Sequence, residues 1–292
     1  MKKGWFVHNG YYLSKSTLDL VDRFTRHFRN YDCEVLTLKS TEILLYLDSD
    51  GKVKQSTQHF KPDFVVFWDK DLNLARLMEK WGVRVYNKSE ALSICDDKNY
   101  TYAVLAERGI PLVKTVFSPL LYTTCDEHDD TFLKHVEQTL HYPIIVKEAS
   151  GSFGEQVYLA ENFEQLKAIR KKLRYLPHQY QEFVEKSRGT DVRMIFIGDQ
   201  FVAGMRRRNL HDFRANVELG GVCEEYQPTP EMIALGQKTV EAIGLDYAGI
   251  DILLDDVPKV CEVNSNAYVK GITQTSGVDV VDEYIRYILS GR

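Results

Sequence analysis

The sequence predicts an α/β protein, with a parallel sheet and packed helices at its N-terminus and hairpin-based α+β segments after it. Three observations carry this. Over the first 95 residues short apolar runs alternate with helical stripes, the order of a parallel sheet. Phe64-Val-Val-Phe-Trp68 is apolar throughout, as a central strand covered on both faces should be. Further on, residues 143–160, 191–205 and 247–264 each read strand, polar turn, strand.

In order, residues 4–8 read as a buried strand and Ser14–Phe28 as a helix, with apolar residues at 18, 20, 21, 24 and 28. Cys33–Leu38 is a second strand, and Asp48-Ser-Asp-Gly51 a hairpin turn. Asp71–Trp81 is a helix that stops at Gly82, Val83–Tyr86 a short strand, and Ser89 the cap of the next helix. Asp97–Arg108 is helical with Gly109 as its stop, and Ile110-Pro-Leu-Val starts an extended segment. Residues 123–131 read as an acidic surface loop and Phe132–Leu140 as a helix. Asn162, with Gln165 three residues on, suits a capping box for a helix to Leu173. The Lys167, Arg170, Lys171, Lys172 and Arg174 side chains of that helix read as a solvated face rather than a nucleic-acid site. Tyr180–Glu185 and Asp191–Gly198 are strands, with Asp191 and Arg193 on one face. Thr229 caps a helix to Ile243, and Val278–Leu289 is the final helix.

Composition narrows the function. With 37 basic and 42 acidic residues the net charge is −5, so no global basic field draws the chain to nucleic acid or membrane. Five cysteines (33, 95, 125, 223, 261) are scattered and form no CxxC pair, against a disulfide framework or a zinc site. The apolar run in Met1–His8 is too short for a signal peptide, and no run approaches the ~20 residues of a membrane span. A reducing cytoplasm is the expected setting.

The stretch Tyr247–Asn264 carries the most chemistry. A turn centred between Asp256 and Val257 sets Asp251 directly opposite Glu262, on one face with Asn264. Opposed carboxylates repel unless a cation sits between them, and two carboxylates with an amide oxygen suit Mg²⁺. The other reading is a solvated hairpin face with two unrelated acids. Gly151-Ser-Phe-Gly154 lies between two strands and lacks the Gly-Lys-Ser/Thr of a P-loop. It is either a plain turn or a loop whose amides approach a phosphate, with the charge of Lys147 nearby. Arg206-Arg-Arg208 opens a basic segment that runs to Asn216, either a solvated loop or an anion clamp.

The order of these pieces is more specific than any one of them. Lys98, Lys147 before a small-residue loop, Gln181-Glu-Phe-Val, Asp191-Val-Arg, Asp212-Phe-Arg-Ala-Asn with Gly220-Gly221, Ala248-Gly-Ile-Asp and Glu262-Val-Asn follow one another over residues 97–276. This series resembles the ATP-grasp superfamily, most of all its RimK-like branch, whose best-known member adds glutamates to a ribosomal protein. The N-terminal unit resembles the family's leading domain in pattern only.

The resemblance implies an ATP-grasp fold: a leading domain over residues 1–95, a central lobe over 96–185 and a C-terminal lobe over 186–292, the two lobes clasping ATP. It implies that Lys98 and Lys147 neutralise ATP phosphates and that Ser152 and Gly154 belong to the loop closing over them. Gln181, Glu182, Phe183 and Val184 would meet the adenine, and Glu185 or Asp191, with Arg193, the ribose and its surroundings. Asp251, Glu262 and Asn264 would hold two Mg²⁺, with Mn²⁺ as a substitute. Arg214 and Asn216 would contact the transferred phosphoryl group and Arg206 the substrate carboxylate, which makes Arg214, Arg206 and Lys147 the catalytic candidates. The implied activity joins a carboxylate to an amine through an acyl phosphate, with dimers or tetramers within the family's range. An ATP-grasp phosphotransferase and a nucleotide-binding protein without turnover are the alternatives. One departure concerns the acceptor: where the RimK-like pattern continues Ser-Ser/Ala-Pro-Gly, this chain has Ser265-Asn-Ala-Tyr-Val-Lys-Gly271.

Overall fold

The computed structural model describes residues 1–124 and 129–291; part of the acidic loop expected at 123–131 lies outside them. The N-terminal unit comprises β1 (Lys2–His8), α1 (Lys15–Phe28), β2 (Cys33–Lys39), the hairpin β3 (Leu45–Leu47) and β4 (Val53–Gln55), β5 (Phe64–Trp68), α2 (Leu72–Lys80), β6 (Arg84–Tyr86) and α3 (Ser89–Asp96). Its parallel sheet has the order β2-β1-β5-β6, and all of β5 is buried, as its apolar run requires. The chain leaves β1 toward one side of the sheet and β5 toward the other. Their carboxyl ends therefore open on a shared crevice, where Asn9 Nδ2 donates to Asp69 Oδ1 at 3.1 Å.

Next come α4 (Lys98–Glu107), β7 (Thr115–Phe117), α5 (Thr131–Leu140), β8 (Ile144–Glu148), β9 (Val157–Ala160), α6 (Phe163–Leu173) and β10 (His178–Glu182). The antiparallel sheet β7-β10-β8-β9 turns Val146 and Tyr180 toward Leu133, Val136 and Leu166 of the helices. Alternation puts Ile145, Lys147 and Gln181 on its other face.

The last unit has β11 (Thr190–Ile197), β12 (Gln200–Arg208), β13 (Val222–Glu225), α7 (Pro230–Ile243), β14 (Tyr247–Leu253), β15 (Lys259–Asn264), α8 (Lys270–Ser276) and α9 (Val280–Ser290). Its antiparallel sheet has the order β13-β12-β11-β14-β15. One face, with Val192, Met194 and Ile250, packs on Met232 and Leu235 of α7. The other face is divided. Its apolar half, with Ile195, Ile197 and Tyr247, shares a core with Phe6, Phe24 and Ile285; its charged half carries Asp191, Arg193, Arg207 and Asp251. The first and last units are thus joined by a common core, and Arg23 Nη2 and His27 Nε2 of α1 each reach Asp279, at the start of α9, at 2.8 Å.

Several expectations need correction. Ser89 is not a cap: it is the first helical residue, and its hydroxyl donates to Glu79 at 2.5 Å. Gln165 reaches one residue further than a capping box requires, accepting from the Glu161 amide at 2.8 Å while Asn162 caps the Gln165 amide. Arg170 does not belong to a solvated face. It is buried, and Nη1 donates to Ser118 Oγ at 2.8 Å. The three arginines 206–208 are the end of β12 and not a loop. The sequence reading also missed α8, too short to show a stripe. Among the described residues no helix is long and apolar enough to cross a membrane.

Candidate active site

The inner face of the β7–β10 sheet and the charged half of the β11–β15 sheet bound a cleft lined by residues of both. Its geometry follows from register. Asp251 pairs with Glu262 across β14 and β15 and with Arg193 across β14 and β11. Arg207 pairs with Asp191 across β12 and β11. Directly opposed residues share a face, so two strand pairs bring acids and guanidiniums together at the cleft floor.

These charges form a closed network. Arg193 Nε and Nη2 donate to Asp251 Oδ1 and Oδ2 at 2.7 and 2.6 Å. Arg207 Nε and Nη2 make the same fork with Asp191, at 2.7 and 2.6 Å, and Nη2 also reaches Asp251 Oδ2 at 2.8 Å. Burial opposes ionisation of Asp251, but the Arg193 and Arg207 guanidiniums outweigh it and hold the carboxyl below the usual carboxylate range. Such buried pairs add little net stability, yet removing one partner strands a charge at about 3–5 kcal/mol.

The expected phosphate side is assembled around the glycine loop. Lys98 Nζ lies 3.3 Å from the Gly151 carbonyl and 3.7 Å from Glu262 Oε1. Lys147 Nζ lies 3.3 Å from Cys261 Sγ. Ser152 and Gly154 line the cleft. Gly154 has a φ of +77°, and a Cβ there would meet Asn216 Oδ1 at 2.8 Å, so glycine is required. Arg214 holds the loop down: Nη1 donates to the Gly154 carbonyl at 2.7 Å while Asp212 grips the rest of the guanidinium. On the outer side Lys70 Nζ reaches Ser152 Oγ at 3.2 Å from the end of β5.

Gln181, Glu182, Phe183 and Val184 line the opposite end of the cleft. Glu182 Oε1 accepts from Lys259 Nζ at 2.8 Å and from the Lys114 amide at 3.1 Å. Those bonds outweigh burial and hold its carboxyl low.

Four expected residues lie elsewhere. Glu185 sits in a 3-10 turn and pairs with Arg188 at the surface. Arg206 points to the other face of β12, where it pairs with Glu224 at 2.5 Å. Alternation gives its place to Arg207, which lines the cleft. Arg193 lies behind Asp251 rather than at the cleft surface. Asn264 follows Glu262 on the same face but outside the lining, and its buried Nδ2 has no partner among the described residues. Cys261, a residue the sequence reading passed over, also lines the cleft. It is the extra residue of a bulge between Val260 and Glu262, and burial pushes its thiol up, so it stands there as neutral S–H.

The donor set fits Mg²⁺. Glu262 faces the cleft with a long ion pair to Lys98, Asp251 retains one acceptor position of its four beyond the bonds from Arg193 and Arg207, and the Asn264 amide, its Nδ2 orphaned among the described residues, can present its oxygen. Hard oxygen donors with few protein ligands match an ion that keeps water and takes phosphate.

This fold is that of the ATP-grasp ligases. A solved D-alanine–D-alanine ligase from Bacillus anthracis is similar over 99% of this chain and 97% of its own, with a TM-score of 0.75 at 15% identity. The family described as the RimK-like ATP-grasp domain matches residues 95–288. A probable alpha-L-glutamate ligase from Trichodesmium erythraeum is 32% identical over 74% of this chain and 71% of its own length. The human N-acetylaspartylglutamate synthase A is 30% identical over 77% of this chain, which spans 58% of that protein. The chain belongs to the RimK-like ATP-grasp family. It is an ATP-dependent carboxylate–amine ligase of the class that uses ATP with Mg²⁺.

Proposed function

We propose that this enzyme phosphorylates a substrate carboxylate with ATP and then joins it to the amine of glutamate or another amino acid. A carboxylate oxygen attacks the γ-phosphorus and ADP leaves. The amine then attacks the carbonyl of the acyl phosphate, loses a proton, and expels phosphate carrying the former carboxylate oxygen. The observation that carries this reading is the convergence of Lys98, Lys147, Arg207 and Arg214 with Asp251 and Glu262 on one cleft under a pinned glycine loop.

Both steps gather negative charge, which fixed cations in a water-poor site stabilise without reorganising. Lys98 and Lys147 are placed to bind the phosphates, and the Gln181–Val184 segment to take the adenine edge. Arg207 would bind the substrate carboxylate, the role first expected of Arg206. Arg214 keeps the loop shut, which protects an acyl phosphate from water. Two Mg²⁺ held by Asp251, Glu262 and Asn264 would polarise the phosphoryl oxygens and offset the developing charge. Glutamate stands in the names of both relatives, which supports it as the first amine to test. Tyr268, which stands where the family pattern has Gly, and Lys270 would line the acceptor side.

Hydroxylamine trapping tests the reading. The enzyme with Mg²⁺-ATP, a panel of amino acids, N-acyl amino acids and short peptides, and hydroxylamine should release ADP and form one hydroxamate. ADP with a stable phosphorylated product and no hydroxamate would favour a phosphotransferase instead.

A further inference from the structure

Arg193 is partly buried, outside the cleft lining, and has Asp251 as its hydrogen-bonding partner. The two are paired in register on adjacent strands, and the guanidinium meets both carboxylate oxygens, Nε to Oδ1 at 2.7 Å and Nη2 to Oδ2 at 2.6 Å. Arg207, by contrast, lines the cleft and is shared between Asp191 and Asp251. The two arginines therefore divide the work on one carboxylate. A carboxylate offers about four acceptor positions. Arg193 takes one on each oxygen and Arg207 a second on Oδ2, which leaves one, on Oδ1.

Resting on the metal assignment made above, we propose that Arg193 is a positioning residue that fixes the plane of Asp251 and leaves a single Oδ1 acceptor position for a divalent cation shared with Glu262. Without the fork, Asp251 could rotate about its side-chain torsions and present either oxygen, held only by Arg207. Arg207 lines the cleft and spends its fork on Asp191, so it holds Asp251 by one bond only. Arg193 lies outside that lining, on the strand beyond Asp251 in the row Arg193, Asp251, Glu262. Partners of this outer kind orient a ligand without touching the metal, and their loss typically weakens metal binding about 10–100-fold.

The test is ADP binding by calorimetry with Mg²⁺ and with EDTA. Arg193→Lys keeps the positive charge and removes the planar fork. It should weaken Mg²⁺-ADP binding about tenfold or more and change metal-free ADP binding by less than about twofold. If the lysine variant does not fold, Arg193→Gln, which keeps one N–H donor, is read the same way. In an Asp251→Asn background the Arg193 change should add nothing. Equal weakening with and without Mg²⁺, no weakening at all, or a further loss in the Asp251→Asn background would overturn the role of Arg193 while leaving the metal site intact. A wild-type enzyme that binds ADP equally with and without Mg²⁺ would overturn the metal assignment and the role of Arg193 with it.

Discussion

Arg207 bridges Asp191 and Asp251, donating to the two carboxylates at 2.6 and 2.8 Å from a single Nη2. It is the one arginine of the 206–208 run placed on the charged face toward the cleft, because Arg206 and Arg208 fall on the opposite face of β12. Arg207→Lys, which keeps the charge but not the fork, is expected to slow ADP release by about 100-fold or more. Arg206→Lys should leave it within about threefold, since its fork with Glu224 is partly exposed. Steady-state ADP release by both variants checks the assignment.

Glu262→Gln is expected to abolish Mg²⁺-dependent turnover while leaving thermal stability nearly unchanged. Its nearest cation, Lys98, is 3.7 Å away, so less than about 1 kcal/mol of ion pairing is lost. Thermal melts beside the ADP assay separate the two effects. Full turnover in this variant would remove Glu262 from the metal set.

Gly154→Val is expected to keep the glycine loop from closing. A left-handed φ of +77° costs a side-chain-bearing residue about 1–2 kcal/mol, and the new Cβ would press on Asn216 at 2.8 Å. The KM for ATP should rise at least tenfold, with faster proteolytic cleavage near residues 151–154. Unchanged values of both would show that the loop has no part in nucleotide binding.

Asp279 links α9 to α1 and supplies a pH signature. Burial pushes its carboxyl up, but the bonds from His27 and the Asp282 amide and the charge of Arg23 outweigh burial and hold it below the usual range. A carboxyl lowered in the folded state stabilises above its unfolded value, and that stability is lost as pH falls through the folded value. Asp279→Asn keeps the cap and loses the ion pairs. It should cost about 0.5–1 kcal/mol at pH 7, and the gap to wild type should close as pH drops below about 4. Denaturant melts at several pH values measure this.

Much of the site was legible because hairpin register is arithmetic. Asp251 and Glu262 do pair, although the turn is centred on Asp256 rather than between Asp256 and Val257: Leu253 meets Lys259 and Ile252 meets Val260, and the bulge at Cys261 restores the expected register. The same arithmetic does not reveal Cys261, since a bulge adds a residue without changing the apolar pattern. Arg207 was hidden by a boundary: taken as a loop, residues 206–208 have no faces, while as the end of β12 they alternate. Continuing the β11–β12 pairing from its turn sets Arg206 opposite Asp191; a bulge at Val202 shifts the register by one residue and brings Arg207 there instead. Arg170 was misjudged because a helical charge run gives no sign of which member turns inward. The core shared between α1 and α9 joins residues more than 250 apart, a distance at which periodicity carries no information.

The most direct test of the proposed chemistry is the fate of a carboxylate oxygen. With the substrate found by hydroxamate trapping, labelled with ¹⁸O in its carboxylate, turnover with Mg²⁺-ATP and the amine should deliver one ¹⁸O into each phosphate released. Amide formation with unlabelled phosphate would contradict an acyl-phosphate route and the roles assigned to Lys147, Arg207 and Arg214 around it.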